Sequence, residues 1–439
     1  LERERTVPGE PDPLFLTNTM TRSRERFVPR SPDRVDMFTC GPSIYRPPHL
    51  GNYRTFLYED VLHRYLEYLG YAVRRMLNYT DVEDKAIEEA HRRGTDIWSL
   101  TGSVARRFEE EARTLRILLP GLMPRSSTTV DQAVRLIKIL IDRGHAYRHR
   151  GDVFYDPLTF DGFGRLYGLD MSRWPQKKRR FRRDTYPGQR WNRGDFILWH
   201  GNGEVAWDTD IGRGRPAWNV QDPAMITSHF GYRIDLSCGG VDNLYRHHDY
   251  TIAVIEGVSG EEFCPWWLHG EHLLINGEKM SKKKGNILYP GSLLEQGYAP
   301  GELRFHLIYG HYREQMNLAR RSLEGHARTL RSFRSLVDFL CGRSRNAAGA
   351  ADAQLSSRPS PRTPQAGPGR DSGPGERVLR AFEDGMNDDL DVRRAFDQVH
   401  AELLRTRARR SGNPPPARER GALAEAVRRI DGVLQVILP

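Results

Sequence analysis

The chain has 439 residues, 38% hydrophobic and 28% charged, with 67 Lys and Arg against 57 Asp and Glu and a formal net charge of +10. This length allows two to four domains at roughly 100–200 residues each. The apolar share supports a core on the lean side, while the basic excess favours a polyanionic partner or reflects an Arg-rich composition alone.

No apolar run approaches the roughly 18 residues that a membrane span needs, and the charged start has no signal-peptide h-region. The four cysteines, Cys40, Cys238, Cys264 and Cys341, are spaced like neither a disulfide framework nor a CxxC metal knuckle. The expectation is a cytoplasmic monomer that does not enter a membrane.

In chain order, residues 1–13 are charged and rich in Pro and Gly, and are expected to form a loose tail. Residues 14–17 and 35–40 have strand character, and the second run meets a turn signal at Gly41-Pro42. Next comes Pro48-His-Leu-Gly-Asn52, then a run apolar at helical spacing that ends on Gly70. Residues 71–78 read as the next strand. Strand, turn, helix and strand make a βαβ unit, which predicts a parallel sheet.

A long helical region is expected to about Tyr147, followed by a strand over residues 151–156. Lys177-Lys-Arg-Arg-Phe-Arg-Arg183 reads as a solvated basic loop. Short strands and turns are expected over residues 195–275, and a helical stretch from Glu302 to Leu340. Residues 342–376 are rich in Gly, Pro, Ser and Ala and read as a flexible linker. Residues 377–439 regain helical periodicity in two segments, around Val378–Arg405 and Glu419–Leu438, which predicts a small bundle.

Two motifs carry chemistry. His49, Gly51 and Asn52 stand at a strand-to-helix junction. Free N–H groups and partial positive charge at a helix start suit a phosphate, and a glycine lets a nucleotide approach the backbone. Lys279-Met-Ser-Lys-Lys-Lys-Gly-Asn286 follows a strand-like run. Its lysines are mobile point charges suited to a loop that closes over a triphosphate. Each motif alone is weak. In this order, and about 230 residues apart, they resemble the HIGH and KMSKS signatures of class I aminoacyl-tRNA synthetases.

Further segments narrow the resemblance to the cysteinyl-tRNA synthetase family. They are Met37-Phe-Thr-Cys-Gly-Pro-Ser-Ile-Tyr45, Asn78-Tyr-Thr-Asp-Val-Glu-Asp-Lys85, residues 151–156, Arg215-Pro-Ala-Trp218, Gly239-Gly-Val-Asp242, His247-His248, Gly310-His-Tyr-Arg313 and Met386-Asn-Asp-Asp389. The resemblance implies an α/β fold: a Rossmann-type catalytic domain over 14–260 with an insertion near 120–200, a KMSKS-loop region with helices over 261–341, and a C-terminal helical, tRNA-contacting bundle. It implies ATP with Mg²⁺, an amino acid and tRNA as partners. His49, Asn52, Lys279 and Lys282 would be catalytic. Gly51, Gly239, Gly240, Asp242, Met280 and Ser281 would bind ATP, and Cys40, Gly41, Thr80 and Trp218 the amino acid.

Two departures stand out. The family holds zinc with two Cys, a His and a Glu, and the metal binds the substrate thiolate. Here Cys40 and His247 keep two ligand positions, while Asp222 replaces the second Cys and Thr251 the Glu. Asp is a weaker, harder zinc ligand than thiolate and Thr a poor one, so a three-ligand zinc site, a site in which His248 or Asp249 replaces the Glu, and a metal-free buried thiol all stand. Because the sequence ends at Pro439, the family's anticodon-reading domain is expected to be absent. The leading expectation is cysteine–tRNA ligase-like activity. The rivals are a paralogue that joins an activated amino acid to a small amine or carrier, and a non-catalytic tRNA- or nucleotide-binding protein.

Overall fold

The computed structural model describes residues 12–173, 194–281, 284–343 and 373–438. The hairpin β1 (Phe15–Asn18) and β2 (Ser23–Arg26) leads into β3 (Arg34–Thr39), α1 (Leu50–Tyr68) and β4 (Ala72–Leu77). β3 and β4 pair in parallel, as the βαβ pattern predicts. Then follow α2 (Asp84–Arg93), α3 (Ile97–Thr114) and α4 (Val130–Asp142). An antiparallel sheet comes next, in the order β5 (Ala146–His149), β6 (Asp152–Tyr155), β7 (Phe196–His200) and β8 (Arg215–Pro216).

The chain returns through α5 (Trp218–Phe230), β9 (Leu236–Gly240), α6 (Asp249–Ser259) and β10 (Trp266–Gly270). β9 and β10 complete a four-stranded parallel sheet in the order β10-β9-β3-β4. The order reverses between β9 and β3, where open α/β sheets place their ligand crevice, outside the carboxyl ends of the strands.

Beyond the sheet lie β11 (Leu273–Ile275), β12 (Glu278–Lys279), α7 (Pro290–Leu294), α8 (Pro300–Ile308), β13 (Met316–Leu318) and α9 (Arg320–Cys341). The final helices are α10 (Pro374–Met386), α11 (Val392–Ala408) and α12 (Ala417–Leu434). No helix among the described residues is long and apolar enough to cross a membrane.

Several element expectations need correction. The region expected to be helical up to Tyr147 divides into three helices, and Tyr147 itself lies in β5. Gly94 ends α2 in the left-handed conformation, and the Asp96 side chain caps α3 two residues later. Residues 195–275 hold two helices, α5 and α6. Every α6 residue from Asp249 to Val258 is buried, so no polar face marks it as a helix. The stretch 302–340 is broken by β13. The segment 378–405 is broken between α10 and α11, where Asp389 and Leu390 take φ +59° and +56°. α10 begins at Pro374, inside the expected linker. The basic run 177–183 lies outside the described residues.

A buried ion cluster ties α8 and the end of α12 to α1. Asp60 on α1 accepts from Arg64 Nε at 3.0 Å, Arg304 Nη2 at 2.6 Å and the Leu118 amide at 2.8 Å. Arg304 also donates to the Leu434 carbonyl at 2.7 Å. Burial raises the Asp60 carboxyl, but Arg64 and Arg304 outweigh it and hold it well below the usual range. Asp60→Asn leaves buried guanidinium charge uncompensated and is expected to cost about 3–5 kcal/mol, read as a lower urea midpoint at constant slope. Because the folded pKa is depressed, this stabilisation is present above the unfolded value of about 3.9 and fades as pH falls below it. The variant should therefore lose most of its disadvantage in acid.

Candidate active site

A cleft of about 510 Å³ opens at the carboxyl ends of β3 and β9. It is lined by Cys40, Gly41, His49, Gly51, Asn52, Gly240, Asp242, Lys279, Met280 and Ser281, residues singled out from sequence. His49 is the N-cap of α1, and its Nδ1 accepts a long hydrogen bond from the Asn52 amide at 3.4 Å. Asn52 Oδ1 accepts from the His49 amide in return at 3.0 Å. This reciprocal cap makes Nδ1 the acceptor, so the ring proton sits on Nε2 and can serve an anion. It also uses the oxygen of Asn52 and leaves its amide NH₂ for a ligand. A side chain at Gly41 would collide with the Asn78 carbonyl, and one at Gly51 would come within 2.7 Å of Met280 Cε. Both glycines keep the backbone within reach of a ligand.

The far wall is the loop after β12. Lys279 Nζ lies 3.1 Å from His272 Nε2. Asn286 holds the loop's shape, accepting from the Ser281 amide at 2.8 Å and donating to the Lys279 carbonyl at 3.3 Å. Lys282 lies outside the described residues. Gly239 is buried beside the cleft, where its amide and carbonyl both meet the Tyr58 hydroxyl. Thr80 supports the cleft through its backbone, its carbonyl accepting from the Ile44 amide at 3.2 Å.

Deeper in the cleft wall, Cys40 Sγ, an Asp222 oxygen and a His247 nitrogen all lie within 4.8 Å of one another. Asn78 Nδ2 donates to Asp222 Oδ1 at 2.8 Å. Oδ2 stands 2.8 Å from His247 Nε2 as an ion pair but receives no aligned hydrogen bond, although buried. Trp218 stacks on the His247 ring at 5.6 Å and 17°. Burial pushes the His247 imidazole down, but the Asp222 charge outweighs it and holds it above its ordinary value. Burial, then the Asp222 charge, raises the Cys40 thiol.

One soft and two harder donors within reach of one another fit a three-ligand cation site of the kind that keeps a position open. Thr251 does not join it. Its hydroxyl donates to the His247 carbonyl at 3.0 Å, the usual local bond of a helical threonine. Asp249, an alternative fourth ligand by sequence, accepts from the Leu166 and Tyr167 amides instead. His248 reaches Cys40 Sγ at 3.0 Å and passes on to His269 at 2.7 Å, standing behind the thiol.

A profile described as the class I (C) tRNA synthetase catalytic domain matches residues 26–328. The cysteine–tRNA ligase of Chlamydia muridarum is 36% identical over 333 residues, covering 74% of this chain and 69% of that protein. That of Chlamydia abortus is 33% identical over 397 residues, covering 88% and 79%. The chain belongs to the cysteinyl-type class I tRNA synthetase family. It is therefore an ATP-dependent ligase of aminoacyl-tRNA synthetase type. The fold is shared with Mycobacterium tuberculosis methionyl-tRNA synthetase in complex with methionyl-adenylate, at a TM-score of 0.66 and 14% identity over 93% of this chain and 92% of that one.

Family membership also sharpens which residues sequence reasoning missed. Asn78 donates to Asp222 and also accepts from the Gly41 amide at 2.8 Å, so one side chain sets both the loop and the carboxylate. It stood inside a quoted motif, but its partner lies 144 residues away. His272, which holds Lys279, carried no signal in the sequence.

Proposed function

We propose that this synthetase activates cysteine with ATP and transfers it to tRNA. The observation that carries the reading is one cleft with the His49–Asn52 cap on one wall and Lys279 on the other, a pair of groups suited to the two ends of a triphosphate. In the first step the cysteine carboxylate attacks the α-phosphorus, the bond to the bridging oxygen breaks, and pyrophosphate leaves with the electron pair. In the second, a terminal ribose hydroxyl attacks the aminoacyl carbonyl and AMP leaves.

The residues act by position and charge more than by proton transfer. The N–H of His49 Nε2, the amide of Asn52 and the ammonium groups of Lys279 and Lys282 meet the charge spread over phosphate oxygens. Asp242 accepts from the ribose hydroxyls, and Mg²⁺ arrives with ATP, held by phosphates and water. Cys40, Asp222 and His247 would hold zinc. When bound, that ion supplies thiol deprotonation and a preference for sulfur. Trp218 and Thr80 shape the space for the amino acid.

The test is a screen of ATP–pyrophosphate exchange across the amino acids, followed by charging of tRNA transcripts. Cysteine is expected to support the fastest exchange, with label passing to cysteine tRNA. Exchange with no amino acid at high enzyme concentration would overturn the reading. Exchange with transfer only to small amines would replace its second half.

A further inference from the structure

Apart from the ATP cleft, a second open slot of about 400 Å³ lies between the α2–α3 turn and the loop that precedes β8. This is within the roughly 300–1,000 Å³ of small-ligand sites. Its floor is apolar, with Ala90 and Ile97 buried. Trp98 is 47% exposed and meets Trp207 edge to face at 6.4 Å. His91 Nε2 and Glu204 Oε2 pair at 2.7 Å across the rim.

Its position gives the slot meaning. α2 forms part of both sites: Lys85 in its first turn lines the ATP cleft, and Ala90 and His91 line the slot. Five residues of helix separate Lys85 from Ala90, about 7.5 Å along the axis. The slot is thus within reach of the unpaired nucleotides of an RNA whose terminal ribose enters the cleft and whose preceding residues follow α2.

We propose that the slot takes one unstacked base from the single-stranded 3′ end of the acceptor RNA, stacked on Trp98 with its exocyclic amine donating to Glu204. The inference rests on the tRNA-charging reading above. Unpaired RNA bases are commonly recognised by stacking on aromatic side chains and by hydrogen bonds to their edges, and carboxylates accept from exocyclic amines such as cytosine N4. Glu204 on the rim disfavours a phosphate in the slot, which argues for a base there and not the backbone. Arg92 and Arg93, exposed on the last turn of α2 although bonded to Glu89, offer positive charge beside it. A small organic amine, which indoles beside a carboxylate also attract, is the rival occupant.

The experiment uses the full chain and a cysteine tRNA transcript carrying 2-aminopurine at each unpaired 3′ position in turn. Quenching on binding is expected at one position, and it should be lost in Trp98→Ala. In charging assays Trp98→Ala should raise the KM for tRNA by about 5- to 150-fold, the range that loss of one base stack produces. Trp98→Phe should recover most of this, with pyrophosphate exchange unchanged in both variants.

An unchanged tRNA KM alongside intact exchange would overturn the proposal. So would protection of Trp98 fluorescence by small amines but not by tRNA. If the unmodified protein shows no exchange at all, the activation reading fails, and position-specific quenching by Trp98 still decides the slot.

Discussion

Replacing Lys279 with Ala is expected to slow cysteine-dependent pyrophosphate exchange by about 10²–10³-fold, or about 2.7–4 kcal/mol of transition-state stabilisation, the usual cost of removing one aimed electrostatic donor. The side chain is exposed and its Nζ lies 3.1 Å from His272 Nε2, so the fold should not change. Lys282→Ala should behave alike, because its charge stands in the same Lys279-Met-Ser-Lys motif. His49 offers a sharper version of the test, since its ring both caps α1 and faces the cleft. His49→Ala removes both roles and should lower stability by about 0.5–2 kcal/mol as well as activity. Asn is a good N-cap, so His49→Asn should restore stability but not exchange. Full activity in His49→Asn would show that the histidine serves the helix alone. Thermal unfolding and exchange rates measured on the same preparations separate the two roles.

Local motifs were legible in the sequence because their physics is local. A strand, a turn, a capped helix start at His49 and Asn52, and a glycine at each close approach fall within a few residues of one another, and the structure assembles them as the spacing implies. Two kinds of feature escaped. α5 and α6 are buried on nearly every side, so they lack the alternation that marks a helix facing water. Polar contacts between distant residues also left no trace. Asn78 meets Asp222 across 144 residues and Arg304 meets Asp60 across 244, and nothing in either neighbourhood names the partner. Thr251 is the intermediate case. The resemblance aligned it with a ligand position, yet its hydroxyl turned to the His247 carbonyl.

Zinc in the purified protein is expected to be loosely held and substoichiometric, and the margin for cysteine over serine is expected to be correspondingly small. Asp222 offers a hard oxygen where the family places a thiolate, and Thr251 contributes nothing to the donor set. Zinc binds best to anionic sulfur and imidazole, so each change weakens the site. The ion pair between Asp222 and His247 competes further, because a metal must take the place of their mutual contact. Asp222→Cys with Thr251→Glu should restore a four-donor set, raise metal content toward one ion per chain and widen the preference for cysteine. The position of Thr251 one helical turn from His247 lets a longer acidic side chain reach the same space. Metal content by mass spectrometry gives a readout independent of activity, and exchange rates for cysteine and serine give the selectivity. One tightly held zinc in the unmodified chain would mean that Cys40, Asp222 and His247 suffice with an open fourth position for substrate sulfur. Unchanged metal content in the double variant would mean that the buried ion pair, and not the ion, organises this pocket.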